Sequence, residues 1–126
     1  MFAAPSIPPS ALALVESGRL PEPLAEYFDP AYRSSSEPGR WDEIAARIDL
    51  HLGNPALDPE VRGPLALLGA FAVIETCEYR FSELVKRSEL AMELLHQAEE
   101  HGIGEEEIDP LYKWAWDTYE AGADTR

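Results

Sequence analysis

The sequence predicts an all-α protein, a small bundle of about five helices with an irregular, Pro-rich N-terminal region. Three observations lead to this prediction. Apolar residues recur at spacings of three and four through most of the chain after residue 40. Residues typical of helix starts and helix ends separate these periodic segments. No run of alternating β-branched residues, as expected for a strand, is present.

The length and composition fit a single helical domain. The chain has 126 residues, of which 45% are hydrophobic and 10% aromatic, enough to build one core. Proline falls repeatedly in the first forty residues and then becomes less frequent. We therefore expect a Pro-rich front with short helices over residues 1–40 and the main helical bundle over residues 41–122.

Only short helices fit into this front, because proline cannot continue a helix and restricts the residue before it. Ser10 is a typical N-cap residue, and it predicts a helix that Gly18 ends. A second short helix is predicted after Pro23, where it would present Leu24, Tyr27 and Phe28. Residues 33–39 are polar and contain both Pro and Gly, which predicts a loop.

The main bundle is predicted to begin with an amphipathic helix at Trp41. Ile44 and Ile48 share its apolar face, and the helix should end near Gly53.

The next helix start is predicted at Asp58-Pro59, which combines an N-cap residue with proline at the first helical position. We expect Pro64 to kink or restart this helix.

The strongest periodic signal lies between Leu65 and His101. A continuous helix of this length would be roughly 55 Å long at about 1.5 Å per residue. A compact domain of this size has a radius of gyration of about 14 Å. Either the segment folds into a hairpin near Phe81-Ser82, or a long helix extends beyond the domain and packs against another chain. Gly69 is the only Gly or Pro in the segment, and we therefore expect the continuous helix.

Asp109-Pro110 predicts the start of the last helix, and Gly122 predicts its end. Trp114 and Trp116 are two residues apart, hence about 200° apart on a helix. They cannot both face the same core, so we expect one of them to be exposed or covered by something other than that core.

The formal net charge of −14 narrows the class of partner. A field of this sign repels phosphate backbones and anionic membranes and attracts basic protein surfaces. We expect neither direct nucleic-acid binding nor membrane binding. The longest apolar run, residues 65–74, is about half of the roughly 20 residues that a membrane-spanning helix needs. The first ten residues carry no Lys or Arg, unlike a signal peptide, so we expect a cytoplasmic protein.

No motif predicts catalysis or a cofactor. The serine-hydrolase, phosphate-loop and dinucleotide-binding motifs are absent from the sequence. Cys77 lies on the apolar stripe and is predicted to be a buried small residue. Its neighbours Glu75 and Glu78 should raise the thiol pKa, which disfavours a reactive thiolate. We expect no enzyme activity and no cofactor.

Glu93 and His96 form the best metal candidate, because a carboxylate and an imidazole three residues apart share one helical face. Glu75 and Glu78 would be further oxygen ligands. Ferritin-like di-iron bundles need two such Glu-x-x-His elements, and this chain has one, so only a homodimer would complete the site. We predict no metal site and keep an oligomeric ferritin-like bundle as an alternative.

These observations together predict an acidic protein-binding domain, most specifically a bacterial immunity protein or antitoxin that covers the active surface of a basic toxin. Carboxylates would steer the partner and aromatic residues would anchor it. The predicted partner-binding residues are Glu99, Glu100, Glu105, Glu106, Glu107, Asp109, Tyr112, Trp116 and Tyr119. A phage-type acidic inhibitor that mimics nucleic acid is the other alternative, and a homodimer stays open.

Overall fold

Five helices and no strand are present in the part of the chain that the structure, a computed structural model, describes: residues 7–21, 24, 40–77 and 83–124. The helices are α1 (Pro9–Glu16), α2 (Arg40–Leu52), α3 (Pro59–Thr76), α4 (Leu84–Glu100) and α5 (Glu105–Asp124). The all-α prediction is confirmed. Within the same ranges, no helix combines the length and apolar character needed to cross a membrane.

The central helix is α3, which the other helices surround. Every residue from 65 to 74 is buried, so α3 is apolar on all its faces in this stretch. Such a helix is stable only if neighbouring helices cover it from several directions. α4 makes the most extensive contact with α3, followed by α2 and α1, while α5 packs mainly on α4.

The prediction of one continuous helix between Leu65 and His101 is wrong, and the hairpin alternative is correct. α3 ends at Thr76, and α4 begins at Leu84 and packs against α3. A continuous helix would leave the buried face of α3 in water, whereas folding back allows α4 to cover it. The predicted break at Phe81-Ser82 lies outside the described residues.

The N-terminal end of α3 confirms the predicted cap. Asp58 Oδ1 accepts a hydrogen bond from the Glu60 N–H at 3.0 Å, and Pro59 occupies the first helical position. Pro64 does not restart the helix, which runs through it. Proline removes one main-chain hydrogen bond. The burial of the residues that follow Pro64 offsets this loss.

The prediction for α2 is confirmed, and that for α1 is partly wrong. Ile44 and Ile48 are fully buried on α2, which ends one residue before Gly53. α1 begins at Pro9, so Ser10 lies inside the helix and is not its N-cap. Gly18 follows the end of α1 with a φ of 75°, as the predicted stop requires.

Leu24 is buried, but the rest of the second predicted short helix and the predicted loop 33–39 lie outside the described residues.

A side chain from α5 caps the N-terminal end of α1. Glu107 accepts hydrogen bonds from the Ser10 N–H at 2.6 Å and from the Ser10 Oγ–H at 2.5 Å. The N-terminal N–H groups of a helix have no partner within the helix, and a carboxylate there also complements the helix dipole. Glu107 therefore joins α1 to α5 across the bundle.

α5 begins at Glu105, so the predicted start at Asp109-Pro110 is wrong. The Gly104 carbonyl accepts hydrogen bonds from the N–H groups of Glu107 at 3.2 Å and Ile108 at 3.3 Å. Glu105, Glu106 and Glu107 occupy the first turn. Their charges are favourable at the positive end of the helix dipole, which extends the helix upstream of Pro110.

α5 ends at Asp124, two residues beyond the predicted stop at Gly122. Gly122 is buried where α5 crosses the start of α4. A Cβ atom at this position would lie 2.9 Å from the Leu84 Cβ and 3.1 Å from the Val85 nitrogen. Glycine is therefore needed here for close helix packing, and it does not end the helix.

We predict that Glu107→Ala lowers the free energy of unfolding by about 1–2 kcal/mol, because it removes the cap of α1. Glu106→Ala is a matched control, since it removes an exposed carboxylate from the same helical turn. Urea denaturation of both variants measures the difference. Equal losses in the two variants would show that the Ser10–Glu107 contact does not stabilise the fold.

Candidate functional site

The negative charge of the protein is concentrated on the α4–α5 hairpin. Between Ser88 and Asp124 the sequence contains eleven Asp or Glu residues, and Lys113 is the single Lys or Arg. This stretch forms most of α4 and all of α5, which pack against each other. The negative electrostatic field of the protein is therefore strongest on this side of the molecule.

One end of the hairpin carries the group that we call the acidic turn: Glu99, Glu100, Glu105 and Glu106. All four residues are exposed. α4 ends at Glu100, Gly102 turns the chain with a φ of 96°, and α5 begins at Glu105. Because the connection between α4 and α5 is short, these four carboxylates lie at the same end of the bundle.

Asp109 and Glu107, the other two acidic residues predicted to bind a partner, differ in their exposure. Asp109 is exposed on α5, one helical turn beyond the acidic turn. Glu107 is half-buried and its carboxylate holds Ser10. Glu107 therefore has a role in the fold. Both of its carboxylate oxygens accept hydrogen bonds from Ser10.

Trp116 and Tyr119 form an aromatic pair on α5. Their ring centroids lie 5.3 Å apart with planes inclined by 39°, and Trp116 is 48% exposed. Trp114 is half-buried and packs against the core. The prediction that one of the two tryptophans is exposed is thus confirmed.

Tyr112 lies on the same side of α5 as the aromatic pair but is partly covered. It packs against the core, and its ring meets the His96 ring of α4 edge-on, with centroids 5.7 Å apart. Tyr112 therefore helps to fix the contact between α4 and α5, and it offers less surface to a partner than Trp116.

The register of the antiparallel hairpin brings further carboxylates to the aromatic pair. His96 faces Tyr112, and Gly122 approaches Leu84. Glu89 lies two helical turns before His96 on α4, and Tyr119 lies two helical turns after Tyr112 on α5. Because the helices are antiparallel, Glu89 and Tyr119 lie side by side. Positions seven residues apart differ by only about 20° around a helix, so this second pair lies on the same side of the hairpin.

The aromatic pair is consequently flanked by exposed carboxylates from both helices. They are Glu89 and Glu93 on α4, and Glu120 on α5. We call these three residues and the aromatic pair the acidic–aromatic face. Trp116 is ten residues beyond Glu106, which places this face roughly 15 Å along α5 from the acidic turn.

The predicted partner-binding residues did not include these three carboxylates. Glu120 follows Trp116 by four residues, and this spacing was a usable signal. Glu89 and Glu93 join the site only through the antiparallel register of α4 and α5. That register has no local sequence signature.

A groove of about 400 Å³ separates α2 from α4, and it is a weaker candidate site. Arg87 lines this groove and is the centre of an ion-pair network. Its guanidinium lies 3.0 Å from the Asp42 carboxylate and 3.5 Å from that of Glu83, and it also donates to Thr76 Oγ1 at 3.2 Å. The charges of the groove are thus largely compensated within the protein.

The residues considered for metal binding do not form a cluster in the described ranges. Glu93 and His96 are both exposed, and Glu78 lies outside the described residues. No group of three or more His, Cys, Asp or Glu side chains that could hold a metal ion occurs in the part of the chain that the structure describes.

Cys77 is buried at the end of α3, as predicted. Its thiol lies 3.6 Å from the Val73 carbonyl oxygen. Burial raises the pKa of Cys77 from 9.0 to about 11, although the positive charge of Arg87 acts in the opposite direction. The raised pKa of Cys77 was predicted from nearby glutamates, whereas desolvation by burial is its main cause in the structure.

We predict that the contribution of Cys77 to stability falls between pH 9 and about 11. Above pH 9 the unfolded chain loses the thiol proton that the folded protein keeps, so rising pH favours unfolding by up to about 1.4 kcal/mol per pH unit. Urea denaturation of the wild type and Cys77→Ala across this range measures the effect. The stability difference between the two proteins should shift in favour of Cys77→Ala as pH rises. A difference independent of pH would contradict the raised pKa.

No protein-family model, no curated protein and no solved structure matches this chain.

Proposed function

We propose that this protein is a non-enzymatic binding domain that recognises a basic surface on another protein. The observation that carries the proposal is the contact between the exposed Trp116 and the half-buried Tyr119, among carboxylates of α4 and α5. Tryptophan and tyrosine are frequent anchors of protein interfaces, and a polar rim around them is typical of such sites. Apart from Lys113, three residues before Trp116, the charged side chains of this rim are acidic, which favours a basic partner.

The size of the hairpin suits an interface of standard extent. α5 has 20 residues, which corresponds to about 30 Å. Two packed helices with axes 8–10 Å apart present a face roughly 20 Å wide. The resulting area, on the order of 600 Å², approaches the roughly 800 Å² that each partner contributes to a stable complex.

The two acidic regions would have different roles in binding. Exposed charges at the acidic turn would increase the rate of encounter, because long-range attraction acts before contact. The acidic–aromatic face would then fix the complex through short-range packing. This division suits a bacterial cytoplasmic immunity protein or antitoxin that covers the active surface of a basic toxin. That role is the specific form of our proposal.

The proposal is tested by affinity capture from a lysate of the host at low and high salt. The wild-type bait is compared with Glu89→Lys/Glu93→Lys, which reverses two charges of the acidic–aromatic face. Glu16→Lys/Asp49→Lys is the matched control, because it makes the same change in net charge at exposed positions on α1 and α2.

The expected result is a basic protein that the wild type and the control retain at low salt and that the Glu89→Lys/Glu93→Lys bait loses. A toxin encoded beside this protein would support the immunity role, and a protein that normally holds DNA or RNA would indicate an inhibitor. Equal retention by all three baits would refute the proposed surface.

A further inference from the structure

We propose that the basic partner is held through an arginine side chain whose guanidinium lies on the Trp116–Tyr119 pair, with its N–H groups directed to the surrounding carboxylates. This inference rests on the proposed function and specifies the chemistry of its central contact. It concerns the acidic–aromatic face only, since the acidic turn lies roughly 15 Å away along α5.

The composition of the face favours a cation over an apolar group. An apolar side chain that covered Trp116 would also remove water from nearby carboxylates such as Glu120, and a carboxylate that is buried without a partner is strongly destabilising. A cation avoids this penalty. It is attracted by the faces of the rings and by the carboxylates at the same time.

The arrangement favours arginine over lysine. The guanidinium group is planar and weakly hydrated, so it stacks on an aromatic ring while N–H groups at its edge bond to a carboxylate in bidentate geometry. The lysine ammonium is compact and strongly hydrated, and it makes weaker use of a flat ring. Trp116 is 48% exposed, which leaves indole surface open to such stacking.

A quaternary ammonium group, such as trimethyllysine, suits this face less well. Such groups are bound in cages of aromatic rings. The acidic–aromatic face offers two rings and several carboxylates, and a quaternary ammonium has no N–H to donate to them.

The inference is tested by NMR titration with two blocked hexapeptides, one of alternating glycine and arginine and one of alternating glycine and lysine. They carry the same charge and differ only in the cationic group. The indole N–H signals of the three tryptophans report on binding, and Trp116→Phe assigns the signal of Trp116. Affinity is measured at low salt from the concentration dependence of the shifts.

We expect the arginine peptide to bind about two- to fivefold more tightly than the lysine peptide, which corresponds to one exposed cation–π contact. The Trp116 indole signal should move more than those of Trp41 and Trp114. Trp116→Leu should reduce the affinity of the arginine peptide to that of the lysine peptide. Leu50→Ala, which alters an exposed apolar residue on α2, should leave the preference unchanged.

Two results would overturn the inference, and they differ in what they say about the proposed function. Equal, salt-sensitive binding of both peptides with an unmoved Trp116 signal would refute the arginine contact while leaving the acidic surface in place. Binding of neither peptide at low salt would contradict both the arginine contact and the recognition of basic surfaces.

Discussion

Leu67→Ala is expected to lower the free energy of unfolding by about 2–5 kcal/mol. Leu67 lies in the middle of α3 and is fully buried. Because the other helices surround α3 in this stretch, they cannot collapse into the space left by the shortened side chain without losing their own contacts. The cavity therefore adds to the lost hydrophobic burial. Urea denaturation followed by circular dichroism measures the loss.

Leu50→Ala is the control for this change, because it is the same substitution at a position that is 74% exposed. We expect its effect to stay within about 0.5 kcal/mol. Comparable losses in the two variants would contradict the central position of α3.

The second large effect concerns binding. Glu105→Lys combined with Glu106→Lys should slow association with the captured basic partner about tenfold at low salt, because it reverses two charges of the acidic turn. Dissociation should change little, since both side chains lie away from the aromatic pair. In high salt the difference in association rate should nearly vanish, because the Debye length falls to a few ångström. Stopped-flow or surface-plasmon kinetics at several salt concentrations measures both rates.

Glu16→Lys/Asp49→Lys again serves as the control with the same net charge. Its association rate should fall much less, since the altered charges lie on α1 and α2. If both double variants slow association equally, the net charge of the protein steers the partner and the acidic turn has no special role.

Local signals in the sequence predicted some helix ends correctly and others wrongly. The start at Asp109-Pro110 and the stop at Gly122 were wrong, because the last helix runs through both. The Asp58 cap and the Gly18 stop depend on residues within a few positions, and both occur in the structure. The cap of α1 could not be predicted, because Ser10 bonds to Glu107, 97 positions away.

The continuous helix was preferred to the hairpin because no local signal marks the break. No Pro or Gly marks the end of α3 near Thr76. The chain folds back because the apolar faces of α3 need to be covered, and this requirement belongs to the whole bundle and not to the residues at the turn.

In the candidate site, too, contacts within one helix could be predicted from the sequence, and contacts between helices could not. The spacing of Trp116 and Tyr119 predicted a shared aromatic face, which the contact between the two tilted rings confirms. Glu89 and Glu93 could not be placed beside it from the sequence, because their position follows from the packing of α4 against α5. Glu107 was predicted to bind a partner, and the structure shows that its carboxylate accepts hydrogen bonds from Ser10, a contact that the sequence did not indicate.

Amide hydrogen exchange of the protein, alone and in complex with the captured partner, shows whether the α4–α5 hairpin is the binding surface. Exchange measured by mass spectrometry locates the surface that the partner covers, whatever the partner's identity. We predict slower exchange on α4 and α5 between Glu89 and Glu120, with α1 and α2 unchanged. Protection confined to α1 or α2, with the hairpin exchanging as in the free protein, would contradict it.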